Sequence, residues 1–288
     1  MRLRPVPLSA LVLTATLGAG CDVHVGENGV SLDVASGKAR EEWSRTYTLA
    51  PGGDLEIVNV NGAINVDAGT GPQVEVKAIR QARAPSDEEA QALLKETQIT
   101  EEVSRDRVSI RTSNGNGVLR GRRSMNVEYQ VRVPAGTQVN VKTENGGIGL
   151  HGVDGTVTAS TTNGGIRGTN LAGAVSAHIV NGGIVMEVAR LAGPIQLDAI
   201  NGGIRLDIPT TVNADVDAHA VNGGVSTEDG FPISVSERSR TRVAGKMNAG
   251  GTSISLSTVN GGVRIGTFKP GEGAPAGQKE ALRRPPGT

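Results

Sequence analysis

Residues 139–148 read VNVKTENGGI, residues 157–166 VTASTTNGGI, residues 175–184 VSAHIVNGGI and residues 195–204 IQLDAINGGI. The string Asn-Gly-Gly followed by Ile or Val starts at Asn145, Asn163, Asn181, Asn201, Asn222 and Asn260, with spacings of 18, 18, 20, 21 and 38. A divergent copy starts at Asn61, followed by Gly62, Ala63 and Ile64. A fixed period of this length marks a repeat architecture and decides the fold before any single residue is considered.

Aligned on the asparagine, the copies form columns. Six residues before it stand Leu55, Val139, Val157, Val175, Ile195, Val216 and Ile254, and four before it Ile57, Val141, Ala159, Ala177, Leu197, Ala218 and Leu256. The position between them is polar in every copy, and an Ile or Val follows three residues after the asparagine. Such alternation predicts half-buried strands on both sides of each Asn-Gly-Gly. Val180, Ile200, Val221 and Val259, one residue before the asparagine, break the rule by falling on outward positions.

Two architectures fit. With each Asn-Gly as a tight turn, the chain is an antiparallel meander of hairpins. With each 18–21 residues as one coil, equivalent positions stack about 4.8 Å apart in parallel strands. The second is the better reading, because like residues in every column are what stacking requires. The expected fold is all-β, a single-chain parallel β-solenoid of 18–21-residue coils with one short capping α-helix. In it the asparagines form a hydrogen-bonded ladder, and the paired glycines supply the positive φ of a corner.

The expected organisation is a signal peptide over residues 1–20, a polar tether over 21–44 and a repeat domain over 45–267, followed by a disordered tail over 268–288. Within the domain, residues 68–138 form an insertion and residues 139–267 the Asn-Gly-Gly solenoid. Val74–Arg80, Arg107–Arg111 and Val127–Val133 alternate as strands, and Ser86-Asp87-Glu88-Glu89 is a capping box opening a helix over residues 86–97. The apolar stripe of that helix is expected to cover the open end of the stack. The loop Asn114–Arg123 carries Arg120, Arg122 and Arg123 among glycines, and Arg238, Arg240 and Arg242 form a second basic stretch.

Composition narrows function. The chain has 288 residues, 37% hydrophobic, with 29 Lys+Arg against 29 Asp+Glu. Apart from histidine its aromatics are Trp43, Tyr47, Tyr129, Phe231 and Phe268. A balanced charge and so few stacking groups argue against nucleic-acid binding. A single cysteine excludes a disulfide framework and a Cys-clustered zinc site.

At the N-terminus, MRLRPVPLSALVLTATLGAGC joins a basic start to a short apolar run ending in small residues, the pattern of an export signal. The run is too short to span a bilayer. Gly18-Ala19-Gly20-Cys21 resembles the lipobox of bacterial lipoproteins, with Gly18 where leucine is preferred and Leu17 one position earlier. The resemblance implies lipidation of Cys21 and attachment to the membrane through that lipid. An ordinary peptidase cutting nearby would instead leave a free thiol. Asp22 resembles the inner-membrane retention signal of enteric bacteria, which favours the periplasmic face of the inner membrane over the outer membrane.

Two columns carry side chains capable of chemistry. Three residues before the asparagine, a sequential solenoid stacks His178, Asp198 and His219 on consecutive coils, two imidazoles flanking a carboxylate. The histidines would stand about 9.6 Å apart, too far to share one ion, so a surface ladder is the expected fate. Six residues after the asparagine stand Glu187, Asp207 and Glu228, and paired carboxylates can hydrolyse glycosides. Sugar-cleaving clefts need aromatic platforms that this chain lacks. No P-loop, nucleophile elbow or His-Glu-x-x-His motif is present, and neither cofactor nor catalysis is expected.

The run from Leu49-Ala-Pro-Gly-Gly through the Asn61 copy, the helix at Ser86, Tyr129-Gln-Val-Arg-Val-Pro, the Asn-Gly-Gly array and the closing Leu256-Ser-Thr-Val-Asn-Gly-Gly-Val resembles the bacterial putative-adhesin family, domain of unknown function 4097. The resemblance covers roughly residues 45 to 267. It implies a right-handed β-helix-like fold in an envelope protein and brings no catalytic residues. The leading expectation is a lipid-anchored, non-catalytic envelope protein that contacts a polysaccharide or another envelope protein. The alternatives are a carbohydrate-active enzyme using a carboxylate column, and a scaffold or sensor partner of an envelope stress system.

Overall fold

The computed structural model describes residues 21–26, 29–34, 37–113 and 123–268. The signal segment 1–20, the Cys21 side chain, residues 114–122 with Arg120 and Arg122, and the tail beyond Phe268 lie outside the described residues.

β1 (Cys21–Gly26) and β2 (Gly29–Val34) pair as an antiparallel hairpin, and the long β3 (Gly37–Thr48) follows. β4 (Asp54–Val58) and β5 (Ile64–Ala68) flank the Asn61 copy. Then come β6 (Gln73–Ala84), α1 (Asp87–Glu96), β7 (Gln98–Val103), β8 (Arg107–Ser113) and β9 (Ser124–Val133). Each regular copy contributes two strands: β10 (Gln138–Asn145) and β11 (Ile148–His151), β12 (Val157–Asn163) and β13 (Ile166–Leu171), β14 (Val175–Asn181) and β15 (Ile184–Val188), β16 (Ile195–Asn201) and β17 (Ile204–Ile208), β18 (Ala214–Asn222) and β19 (Val225–Thr227). A hairpin of β20 (Ile233–Arg238) and β21 (Arg242–Met247) precedes the last copy, β22 (Thr252–Asn260) and β23 (Val263–Thr267).

The strand before each asparagine joins an 11-stranded sheet and the strand after it a 10-stranded sheet. Among the described residues the fold is all-β with one helix, and its sheets are rich in parallel pairs. Successive copies pair in parallel and in register, Val139 with Val157, Val157 with Val175 and Val175 with Ile195. Antiparallel hairpins at each Asn-Gly are thereby excluded. The two inner faces enclose one continuous core, in which Leu55, Val157, Leu197, Ile184 and Leu206 are wholly buried. Each such side chain contributes about 1.5–3 kcal/mol by leaving water.

The order of stacking differs from the order of the sequence at both ends. β8 pairs with β4, and β9 with β5, so the insertion supplies a further layer of both sheets, on the side of the Asn61 copy away from β10 and β11. At the other end β22 lies between β16 and β18, and β23 between β17 and β19. The copy that closes the sequence is therefore the penultimate layer. Antiparallel pairing of β21 onto β18 extends the larger sheet past that end.

The expected tether also folds. Over its full length β3 pairs antiparallel with β6, Gly37 opposite Ala84 and Thr48 opposite Gln73. Ala39, Trp43 and Tyr47 pack against the core and draw the strand in, while its charged residues stay exposed. Burial and a 2.6 Å hydrogen bond donated to Glu101 push the Tyr47 hydroxyl well above its usual range. Helix α1 starts at Ser86, whose side chain accepts from the Glu89 N–H, and carries acids in its first turn. Its Ala90, Leu93 and Leu94 are buried, and the helix packs on β3 and β6 at this end of the stack.

On the outer face, Glu56 accepts from Ser109 Oγ at 2.7 Å and meets Arg107 at 3.0 Å and Arg111 at 2.8 Å. The Ser109 hydrogen bond, then the two guanidinium groups, hold its carboxyl below the usual 4.5. A carboxyl whose pKa falls on folding stabilises the native state above its unfolded value and ceases to do so as pH drops through its folded value. Glu56→Gln should lower Tm by roughly 3 °C at pH 7, and the difference should shrink as pH falls below the usual carboxylate range and through the lowered folded value of Glu56. Thermal melts of both proteins across that range check this; a pH-independent difference contradicts it.

Candidate functional site

Each copy turns from one sheet to the other at its asparagine, and seven asparagines thereby line one corner of the stack. Asn145 Nδ2 donates to Asn61 Oδ1 at 2.9 Å, Asn163 to Asn145 at 2.8 Å, Asn181 to Asn163 at 2.9 Å and Asn201 to Asn181 at 2.9 Å. Asn260 then donates to Asn201 at 2.8 Å, and Asn222 to Asn260 at 2.9 Å. The ladder follows the stacking order, with Asn222 last.

Contact distance, more than backbone sign, explains the first glycine after each asparagine. A Cβ on Gly146, Gly164, Gly182, Gly202, Gly261 or Gly223 would lie inside van der Waals contact of the glycine carbonyl oxygen in the neighbouring layer. Positive φ is confined to Gly62, Gly164 and Gly182 among the seven. The second glycine has room, since the nearest atom to a Cβ on Gly183 is the Gly203 carbonyl oxygen at 3.5 Å. Ala63 occupies that place in the first copy. Inside the corner, Thr161 and Thr258 donate to the Gly146 and Gly202 carbonyls at 2.9 Å and 2.8 Å.

Directly before the ladder runs an apolar column. Alternation carries straight to the asparagine, so these residues face water: Ile200 is 38% exposed, Val259 40% and Val221 52%. They sit on adjacent strands beside half-buried Val180, a stripe about 14 Å long at strand spacing. The departure from the polar-outside rule was visible in the sequence. Its contiguity depends on the stacking order, which was not.

That order also separates the histidine column. His178 lies beside Asp198, but the next neighbour of Asp198 is Ser257, and His219 follows beyond it next to Arg242. The insertion of β22 thus places His219 three strand spacings, about 14 Å, from His178. Asp198 instead accepts from Gln196 at 2.9 Å. Among the described residues no three His, Cys, Asp or Glu side chains converge as metal ligands.

The acidic column is divided in the same way. Glu187 and Asp207 are neighbours, whereas Gly266 of β23 separates Asp207 from Glu228. Asp207 is buried and accepts from Arg205 Nε at 2.8 Å, and this pair raises the Arg205 pKa further. Glu228 accepts from the Thr267 N–H at 2.7 Å. A shallow groove of about 310 Å³ lies between Arg167, Glu187, Arg205, Asp207 and Thr267. A second, of about 360 Å³, crosses β3, β6, β9 and β5 among Arg45, Lys77, Arg132, Asp67 and Glu75. Both carry mixed charge, and in the second Arg132 pairs with Glu75. No pattern in the sequence brought these residues together, because β3 and β6 meet only through the fold.

Comparison with known proteins places these features in a family. The model of the Toastrack DUF4097 family matches residues 54–266. No curated protein matches the chain. Among solved structures, a putative cell adhesion protein from Clostridium sporogenes is 12% identical, with 79% of this chain and 100% of that one covered at a TM-score of 0.46. A putative adhesin from Bacteroides fragilis is 13% identical, covering 79% of this chain and 97% of that one at a TM-score of 0.29. The family match spans the Asn61 copy, helix α1 and every Asn-Gly-Gly copy, and the chain belongs to the Toastrack DUF4097 family.

Proposed function

We propose that this protein is a lipid-anchored, non-catalytic protein of the bacterial cell envelope, in which a β-solenoid of 18–21-residue coils presents a regular outer face to a polysaccharide or protein partner. The observation that carries the reading is the unbroken Asn61-to-Asn222 ladder with the exposed Ile200, Val259 and Val221 and half-buried Val180 in a stripe beside it. Each interior asparagine spends one N–H and one lone pair on its neighbours and keeps one of each for a ligand. A rigid row of such groups at strand spacing, flanked by apolar surface, suits an extended partner.

Binding accounts for the polar columns better than hydrolysis does. Two carboxylates working on a glycosidic bond must both face it. Here Asp207 is buried against Arg205, and Glu228 is turned to accept from the Thr267 N–H.

The anchor rests on Cys21 and the export signal before it. Among the described residues no helix is long and apolar enough to cross a membrane. A lipid on Cys21, contributing about 0.8 kcal/mol per buried methylene, would hold the domain at a bilayer. Mass spectrometry of the mature N-terminus from membrane fractions tests this. The expected result is a diacyl or triacyl mass on Cys21, with Cys21→Ala released to the soluble fraction. An unmodified N-terminus beyond Cys21 would overturn the anchor.

A further inference from the structure

Every rung of the ladder is an Asn-Gly pair, the dipeptide most prone to cyclise, because a glycine leaves its own amide nitrogen open to attack the preceding carboxamide. That attack needs a free Gly N–H and a side chain able to swing back over the main chain. In six of the seven copies the structure denies the first condition. Gly62 N donates to the Asn145 carbonyl at 2.8 Å, Gly146 to Asn163 at 2.8 Å and Gly164 to Asn181 at 3.0 Å. Gly182 likewise donates to Asn201 at 3.0 Å, Gly202 to Asn260 at 2.9 Å and Gly261 to Asn222 at 3.1 Å. In the five copies between Asn145 and Asn260, the carboxamide is also held on both sides by its neighbours.

Asn222 is different because β18 is the last layer to carry an asparagine. Its Nδ2 donates to Asn260, but among the described residues nothing donates to its Oδ1. No acceptor among the described residues takes the Gly223 N–H either, since the next strand, β21, runs antiparallel and brings no asparagine carbonyl to it. Asn222 is exposed and Gly223 half-buried.

We propose that Asn222 is a site of spontaneous deamidation and that the ladder protects its own other six Asn-Gly pairs from it. The Gly223 nitrogen gives up its proton to solvent and forms a bond to Asn222 Cγ. The Cγ–Nδ2 bond breaks, Nδ2 takes up a proton, and it leaves as ammonia. Water then opens the five-membered imide at either carbonyl, giving aspartate or isoaspartate. Overall one water enters, one ammonia departs, and nothing is oxidised or reduced. The product carries a new negative charge at the end of the ladder, and its carboxylate has no N–H to give to Asn260.

Peptide mapping of the full-length mature protein tests the proposal after incubation at 37 °C and mildly alkaline pH, with native and guanidinium-unfolded samples run in parallel. In the native sample, conversion at Asn222 should be at least about tenfold faster than at Asn61, Asn145, Asn163, Asn181, Asn201 or Asn260, since reaction there waits on local opening of the held amide. Unfolding should bring all seven to similar rates. Asn28, Asn114 and Asn116 also precede glycine but stand outside the ladder, so the readout is the peptide carrying residue 222, in which Asn222→Ser should remove the early amide-to-acid mass change without accelerating the other six ladder sites. Native conversion at Asn222 no faster than at Asn181, or equal conversion at all seven, would overturn the proposal.

Discussion

Replacing Gly182 with alanine should destabilise the domain by about 3 kcal/mol or more, while the same change one residue later, at Gly183, should cost less than about 1 kcal/mol. Both glycines sit in one corner, and a propensity argument ranks them alike. Packing does not. The added methyl at Gly182 has to share space with the Gly164 carbonyl oxygen, which belongs to the backbone of a neighbouring layer and cannot rotate away. The φ of +141° at Gly182 adds backbone strain for any L side chain. At Gly183 the nearest atom stands at 3.5 Å, an ordinary contact. Reduced freedom of the unfolded chain even favours alanine there slightly. In thermal melts the first variant should lose roughly 10 °C and the second almost nothing. Equal losses would mean that corner geometry, and not the approach of stacked carbonyls, selects glycine.

A charge placed in the interleaved copy should have a second large effect. Ile254 is 1% exposed and lies between Ile195 of β16 and Val216 of β18. An aspartate there buries a carboxylate with no partner, at a cost of about 4 kcal/mol or more. The damage should be regional. β18 and β19 have parallel partners only in β22 and β23, and β21 and β20 hang from β18 in turn. Hydrogen exchange of Ile254→Asp should show β18 to β23 opening together while β8, β4, β10 and β12 keep their protection, as expected of an array held by nearest neighbours. Uniform loss of protection along the chain would contradict that picture.

Much of this architecture is legible in the sequence, and what is not has one physical cause. Alternation around each asparagine marks which residues face inward. The repeated columns mark which positions stack, so the parallel pairing of Val139, Val157 and Val175 follows from local pattern alone. Even the difference between the two glycines is visible in Ala63. Columns of like residues, however, make every copy an acceptable neighbour for every other. Nothing in β22 distinguishes a place after β18 from a place before it, and the choice falls to long-range closure at the ends. Hence His178, Asp198 and His219 read as one cluster in sequence order and are divided by Ser257 in space. Dependence on long-range pairing also hid the role of β3, whose charged residues suggest a tether while Ala39, Trp43 and Tyr47 meet the core only once β6 lies beside it. The candidate binding face was half legible: the asparagines by repetition, the apolar stripe only as an exception to alternation.

The interleaved order is open to a binary measurement by paired cysteines in a Cys21→Ser background. Gln196 and Ser255 are register partners on adjacent strands, and their Cα separation of about 4.8 Å permits a disulfide. Gln196 and Asp217 would be partners if the copies stacked in sequence order, but here β22 lies between them and separates them by about 9.6 Å. Oxidation should cross-link the Gln196→Cys/Ser255→Cys protein and leave the Gln196→Cys/Asp217→Cys protein as free thiols. Cross-linking of the second pair with failure of the first would show that the copies stack in sequence order, contradicting the fold described above.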